Sequence, residues 1–303
     1  PRRRSWALTG TPVENSVDDL LGIFEFLAPG YLSANMPLRG LGKAAGEYIL
    51  RRTKQQVLTD LPPKLVHDAH LELGPAQRAA YELAESKGTI RLSELGPKMT
   101  IQHVFELVLR LKQICNFEPT TGESAKLDRL VSDMEEIVAS GQKAIVFSQW
   151  VETIARIRKA TRDFGPLEFH GRISASQREV TLRRFREDRH AHLLLMSYGA
   201  GSVGLNLQFA SYVFLFDRWW NPAVEDQAIN RAHRIGASGP VTVTRFLSLH
   251  TIEERINDIL EQKRELFETI LSHAGQPQRM GLSQREILSL FPIAPQATTD
   301  AAA

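Results

Sequence analysis

Between residues 125 and 250, apolar runs alternate with amphipathic segments, and this rhythm narrows the possible folds more than anything else in the chain. The runs are "KAIVFSQ", "LEFH", "HLLLMS", "YVFLFD" and "VTVTRFLS". Between them lie "WVETIARIRKATRD", "SASQREVTLRRFRED" and "AVEDQAINRAHRI", each long enough for a helix. A strand apolar along its whole length has both faces covered, and a helix between two such strands is the crossover that parallel pairing requires. The pattern therefore predicts an α/β fold, a parallel sheet covered by helices on both faces.

The flanks read differently. Residues 5–28 suggest a short strand, "WALTG", then a turn and a helix, "NSVDDLLGIFEFL", capped by Asn15 or Ser16. Residues 29–124 are mainly helical and broken by "APG", "LPPK" and "LGP". Within them "HDAHLEL" alternates, placing Ala69, Leu71 and Leu73 on one face of a candidate strand. A long helix, "TIEERINDILEQKRELFETILSH", carries an apolar stripe at Ile252, Ile256 and Ile259 or Leu260. The tail after Gly275 thins to "APQATTDAAA", which predicts disorder.

Composition excludes several classes. The one cysteine, Cys115, rules out an internal disulfide framework and a cysteine-based zinc cluster, and fits a reducing compartment. It lies at helical apolar spacing in "LVLRLKQICNF", as a core thiol would. No His, Asp or Glu cluster has metal-ligand spacing, and no apolar run approaches the ~20 residues of a membrane span. Formal charge is only +2, so bulk charge does not announce a nucleic-acid binder. Basic runs do occur locally, at "PRRR", "LRRTKQQ" and "RFREDRHAH".

Gly199, Gly201 and Gly204 form a G-x-G-x-x-G after an apolar run, with Asp217 downstream, which by rule is a dinucleotide fingerprint. That motif needs a crossover helix before the next strand. Only "LNLQFA" separates Gly204 from the next apolar run, so the fingerprint fails on length. Two readings of the glycines stay open: bare backbone N–H groups presented to a phosphate, or a tight connection with no ligand. Downstream, Gln227, Arg231 and Arg234 fall at i, i+4 and i+7, which predicts one shared helix face. Two arginines aimed the same way suit phosphate oxygens. His170 and His233 read as hydrogen-bonding spacers, and Trp219 and Trp220 as packing anchors.

These strings together resemble the SWI/SNF-type ATPases of helicase superfamily two. "LTGTPVENSVDDLLGIFEFL" resembles the third motif and its helix, and "ILRRTKQQVLTDLPPK" the linker after it. "KAIVFSQW" and "FHGRISASQR" resemble the fourth motif and its neighbour. "SYGAGSVGLNLQFASYVFLFDRWWNP" resembles the fifth motif and following block, and "QAINRAHRIG" the sixth. The matches run in the family's order from about Trp6 to Leu271. The resemblance implies a RecA-like lobe preceded by a mainly helical insertion. Its boundaries would be the end of a first lobe over 1–30, the insertion and linker over 31–124, a second lobe over 125–275 and a tail over 276–303.

The family's enzymes couple ATP hydrolysis to movement along double-stranded DNA. The resemblance implies that Arg231 and Arg234 are arginine fingers reaching an ATP held by the first lobe, and that they face the sheet's carboxyl edge. Gln227 would hold the nucleotide or orient the fingers, and Gly201, Gly204 and Asn206 would lie between nucleotide and DNA. Ser148, Gln149, Gly171, Ser174, Arg178 and Ser197 would meet DNA phosphates, while Thr9, Gly10 and Thr11 would couple the lobes. The cofactor would be ATP with Mg²⁺, bound mainly by the first lobe. Partners would be double-stranded DNA and that N-terminal lobe, with RNA polymerase, repair complexes or other DNA-bound proteins as cargo. The location would be the cytoplasm, at a bacterial nucleoid, or a eukaryotic nucleus.

No phosphate loop and no acidic Mg²⁺ box is present: "LRGLGKAAG" has Pro37 where the first glycine belongs. The expectation is the second half of a motor, inactive alone. The sixth motif also departs from the family's pattern, with Ala237 after Gly236 in place of glutamine. Two alternatives are a strand-separating helicase of the same superfamily and a non-enzymatic DNA-binding or docking module.

Overall fold

The computed structural model describes residues 4–8, 17–50, 62–200, 205–234, 236, 239–271 and 284–291. The chain divides into two compact units. One comprises residues 1–61, 220–223 and 257–283, and the other residues 62–219, 224–256 and 284–303.

In the first unit, helices α1 (Val17–Leu27) and α2 (Leu38–Gly46) bury Leu20, Phe24, Leu41 and Ala45, closed by Leu32. Phe24 and Tyr31 stack with ring centroids 6.1 Å apart. Of the strand expected at "WALTG", residues 6–8 are not in a strand, and Thr9 and Gly10 lie outside the described residues. Residues 4–8 lack a ladder partner, and Trp6 and Leu8 are exposed, because an apolar alternation becomes a strand only beside another strand.

The second unit is built on six parallel strands. They are β1 (Lys64–Leu71), β2 (Ala144–Ser148), β3 (Pro166–Phe169), β4 (Leu193–Ser197), β5 (Tyr212–Leu215) and β6 (Val241–Ser248), in the spatial order β1-β6-β5-β2-β4-β3. Strand periodicity splits the central residues cleanly. Ile145, Phe147, Leu194, Met196, Val213 and Leu215 enter one core. Ala144, Val146, Leu193, Leu195, Phe214 and Phe246 enter another. Both faces are therefore covered, as the apolar runs require. The edge strand β1 comes from the range expected to be helical insertion, and Ala69 and Leu73 are its buried apolar positions and flank.

Five helices pack this sheet or its rim: α3 (Pro75–Leu95), α4 (Ile101–Asn116), α5 (Ala125–Ala139), α6 (Val151–Ala160) and α7 (Ala175–Glu187). Ser124 caps α5 by accepting from Leu127 N at 3.0 Å, and Ser174 caps α7 by accepting from Gln177 N at 3.3 Å. Leu130, Met134 and Ile137 of α5 sit in the second core. Cys115 of α4 is fully buried, its thiol pushed by burial up to about 12, so it is a core residue and not a nucleophile.

Helix α8 (Pro222–Ile229) follows β5 and stops six residues short of the expected end. The chain then turns, with Arg231 N and Ala232 N donating to Ala228 O and Ile229 O at 3.1 Å. The carbonyl of Arg231 instead accepts from Leu207 N at 3.0 Å, so the helical ladder is diverted to a neighbouring segment. Last come α9 (Ile252–Leu271), with Ile252, Ile256 and Leu260 buried, and the short α10 (Gln284–Ser289).

Candidate functional site

In a parallel α/β sheet, the loops leaving the carboxyl ends of the strands carry function, above all where consecutive connections leave in opposite directions. Here that point lies between β2, whose chain runs on to β3, and β5, whose chain runs on to β6. Asp217, two residues past β5, sits there with no exposed surface. It accepts Ser148 Oγ–H at 2.5 Å, the Gln149 backbone N–H at 3.0 Å and Asn116 Nδ2–H at 3.1 Å. Burial pushes the carboxyl up, and the Lys112 charge with the Ser148 hydrogen bond pulls it back.

The surroundings form a buried charge network. Lys112 Nζ and Gln149 Nε2 both donate to Arg218 O, at 2.7 and 3.1 Å. Arg218 Nε donates to Glu225 Oε1 at 2.8 Å, which also accepts Trp219 N–H at 2.8 Å. Lys126 Nζ donates to Glu253 Oε1 at 2.6 Å and to Asn116 Oδ1 at 3.1 Å. Glu253 Oε2 accepts Ser248 N–H at 3.1 Å. Three cations and three carboxylates are thus sealed together at the rim of the sheet, each 2% exposed or less. Removing either sign leaves buried charge uncompensated.

This network was not anticipated from sequence. The signal was present, since Val108, Lys112 and Asn116 fall at i, i+4 and i+8, putting two polar groups on an apolar stripe of α4.

The expected phosphate-contacting residues divide. Ser148 is fully buried and its hydroxyl is committed to Asp217, so its side chain is no phosphate contact; it positions the start of the next loop. Gln149 is half-buried beside it. At the end of neighbouring β4, Ser197 is half-buried and its Oγ accepts Ala200 N–H at 3.4 Å. At the end of β3, Gly171 and Ser174 are exposed ahead of α7, and Arg178 lies over the Phe169 ring at 5.9 Å. Strands β2, β3 and β4 therefore bring these residues to one carboxyl edge. His170 stands among them, 6% exposed, with Nδ1 lacking a hydrogen-bond partner and burial lowering its pKa.

The arginine pair is elsewhere. Leu207 N donates to Arg231 O, and Leu207 lies ahead of the start of β5. His233 Nε2–H donates to Pro62 O at 2.8 Å, and Pro62 lies two residues before the start of β1. Both bonds place the loop at the amino end of the sheet, correcting the expectation of the carboxyl edge. They also make His233 the hydrogen-bonding spacer its sequence suggested. The helix-face argument is corrected with it, since Gln227 is on α8 while both arginines lie beyond its end. The pair nonetheless stays close. Arg231 is half-buried, Arg234 is exposed, and the Arg231 pKa is lowered by burial and by the Arg234 charge.

Asn206 is exposed on the segment that reaches Arg231. Gly201 and Gly204, and likewise Thr9, Gly10 and Thr11, lie outside the described residues. No helix occupies residues 205–211, so the dinucleotide reading fails in space as in sequence. Trp219 packs on the first core with its ring 5.3 Å from Tyr198, as an anchor should. Among the described residues, no group of three His, Cys, Asp or Glu could hold a metal ion.

A helicase conserved C-terminal domain matches residues 125–236, and an SNF2-related domain matches residues 35–119. The SWI2/SNF2 ATPase core of Sulfolobus solfataricus, solved in complex with dsDNA, superposes with a TM-score of 0.60 at 30% identity, over 95% of this chain and 67% of that one.

The chain belongs to the SWI2/SNF2 ATPase family.

An uncharacterized ATP-dependent helicase of Mycoplasma pneumoniae is 33% identical over 306 residues, covering 94% of this SWI2/SNF2 chain. Protein CHROMATIN REMODELING 4 of Arabidopsis thaliana is 27% identical over 303 residues, covering 88%. The chain spans only 29% and 14% of these relatives' lengths. The RecA-like architecture of this SWI2/SNF2 chain is accordingly that of its solved neighbours.

Proposed function

We propose that this chain is the C-terminal portion of an ATP-dependent double-stranded DNA translocase. It would supply arginine fingers to an ATP that another lobe holds, and part of the track that grips DNA. The observation that carries this is the Arg231–Arg234 pair: Arg231 is half-buried beside the exposed Arg234, and burial first and the Arg234 charge second lower its pKa. Like charges held together are relieved by an anion, and a transferring γ-phosphoryl group is one. The pair stands away from the carboxyl edge where the resemblance placed it, so the reading rests on the charge pair and not on its position.

In this scheme Gln227 holds the nucleotide or orients the fingers, and Gly201, Gly204 and Asn206 lie between nucleotide and DNA. Gln149, Gly171, Ser174, Arg178 and Ser197 meet phosphates along the carboxyl edge, with Ser148 and Asp217 fixing the Gln149 backbone. Thr9, Gly10 and Thr11 transmit the nucleotide state between lobes. Phosphate contacts position a protein without reading bases, as a motor that runs over any sequence requires. ATP and Mg²⁺ are held mainly by the N-terminal lobe, whose phosphate loop this sequence lacks. Support comes from relatives named as ATP-dependent helicases and from a neighbour solved with dsDNA.

The test is ATP turnover by the purified chain with and without duplex DNA. No turnover is expected in either case. Duplex-stimulated hydrolysis that Arg231→Ala abolishes would overturn the division of labour.

A further inference from the structure

We propose that the groove along the open edge of β3 is a docking site for an acidic, extended peptide segment of a partner protein. Strand β3 ends the sheet, with β4 as its partner and no strand beyond it among the described residues. Beside it lies a cavity of about 520 Å³. Arg158, Lys159 and Arg162 enter it from the end of α6 and the turn that follows, and Arg184 enters it from α7. A single carboxylate, Glu168, faces these four cations.

The pairs that neutralise part of this charge are loose. Arg158 stands 3.7 Å from Glu168 and Arg184 3.4 Å from Asp188, and the two arginine side chains are 60% and 62% exposed. Exposed pairs of this kind contribute little and exchange readily for a better partner. Arginine forks suit carboxylates, which they grip bidentately. Ala155 and Leu167 give the groove an apolar floor that receives a hydrophobic side chain. A strand edge offers backbone groups to an extended peptide, and the basic rim selects an acidic one.

A nucleic-acid duplex fits less well. It is too broad to reach the apolar floor, so only the rim cations would serve it. The groove runs along β3 from Gly165 to Glu168, the length over which an extended peptide would lie. The inference does not depend on the motor reading.

The test is fluorescence anisotropy with a fluorescein-labelled peptide of alternating Glu and Leu, titrated with the chain and with its Arg158→Glu/Arg162→Glu variant. Both arginines are exposed, so the variant folds, and an unchanged melting temperature verifies it. Saturable binding is expected, weakened at least about tenfold by the charge reversal and also by Ala155→Trp, which fills the floor. A Lys-Leu peptide should not bind. Failure of the Glu-Leu peptide to bind, or equal affinity for parent and variant, overturns the proposal. It is equally overturned if the reversal weakens binding of a short duplex while leaving the peptide's affinity unchanged.

Discussion

Ser148 Oγ donates to Asp217 Oδ2 at 2.5 Å, joining the carboxyl ends of β2 and β5 at the point where the sheet's connections reverse. Asp217 is the acceptor through which Ser148, Gln149 and Asn116 are held together.

Asp217→Asn keeps the shape and removes one of three buried negative charges, leaving one positive charge in excess, since Lys126 keeps Glu253 and Arg218 keeps Glu225. The expected cost is about 3–5 kcal/mol of stability, the usual penalty for breaking a buried ion network. Urea denaturation at neutral pH measures it. A loss under 1 kcal/mol would mean that the carboxyl is protonated in the native state.

Gly165 has φ +62, and a Cβ added there would stand 2.0 Å from the His190 carbonyl oxygen. Both the left-handed conformation and the backbone contact oppose substitution. Gly165→Ala should cost about 2 kcal/mol or more, read as a lower midpoint in the same denaturation. A variant as stable as its parent would show that the turn before β3 yields freely.

His170 is buried and its pKa lies below the ordinary 6.5 because burial disfavours the imidazolium. Glu168 and Glu152 raise it and Arg172 lowers it further, and burial outweighs them. The unfolded chain therefore binds the proton first, so this group's stabilising contribution is present above 6.5 and is lost as pH falls through the folded value. Thermal melts taken from neutral pH downward should fall more steeply for the parent than for His170→Gln. Parallel curves would contradict that reading.

Much of the sheet was legible because fully apolar runs admit few alternatives. Ile145 and Phe147 against Ala144 and Val146 show the strict alternation that fills two cores. The site was less legible. Spacing placed Arg231 and Arg234 on a helix, whereas the helix ends at Ile229 and the Arg231 carbonyl accepts from Leu207 N–H. No local pattern encodes a partner that lies 24 residues upstream. Ser148 was misassigned for a related reason. A serine at a strand end looks like a surface group until Asp217, remote in sequence, accepts its hydrogen bond. Trp6 shows the converse, a strand-like pattern with no strand beside it among the described residues.

Arg178, at the carboxyl edge behind Ser174, should contribute one phosphate contact. Arg178→Ala in the full-length protein is expected to weaken duplex binding about equally across sequences. It should also reduce the slope of log affinity against log salt by about 1. Anisotropy at several salt concentrations measures both, and a sequence-selective loss would argue for base contact instead.

The most direct measurement is DNA-stimulated ATP turnover by the full-length protein carrying Arg231→Ala or Arg234→Ala. A finger acts on the charge that develops in transfer, so kcat should fall on the order of a thousandfold while duplex affinity stays unchanged. Turnover within twofold of the parent in both variants would contradict the account.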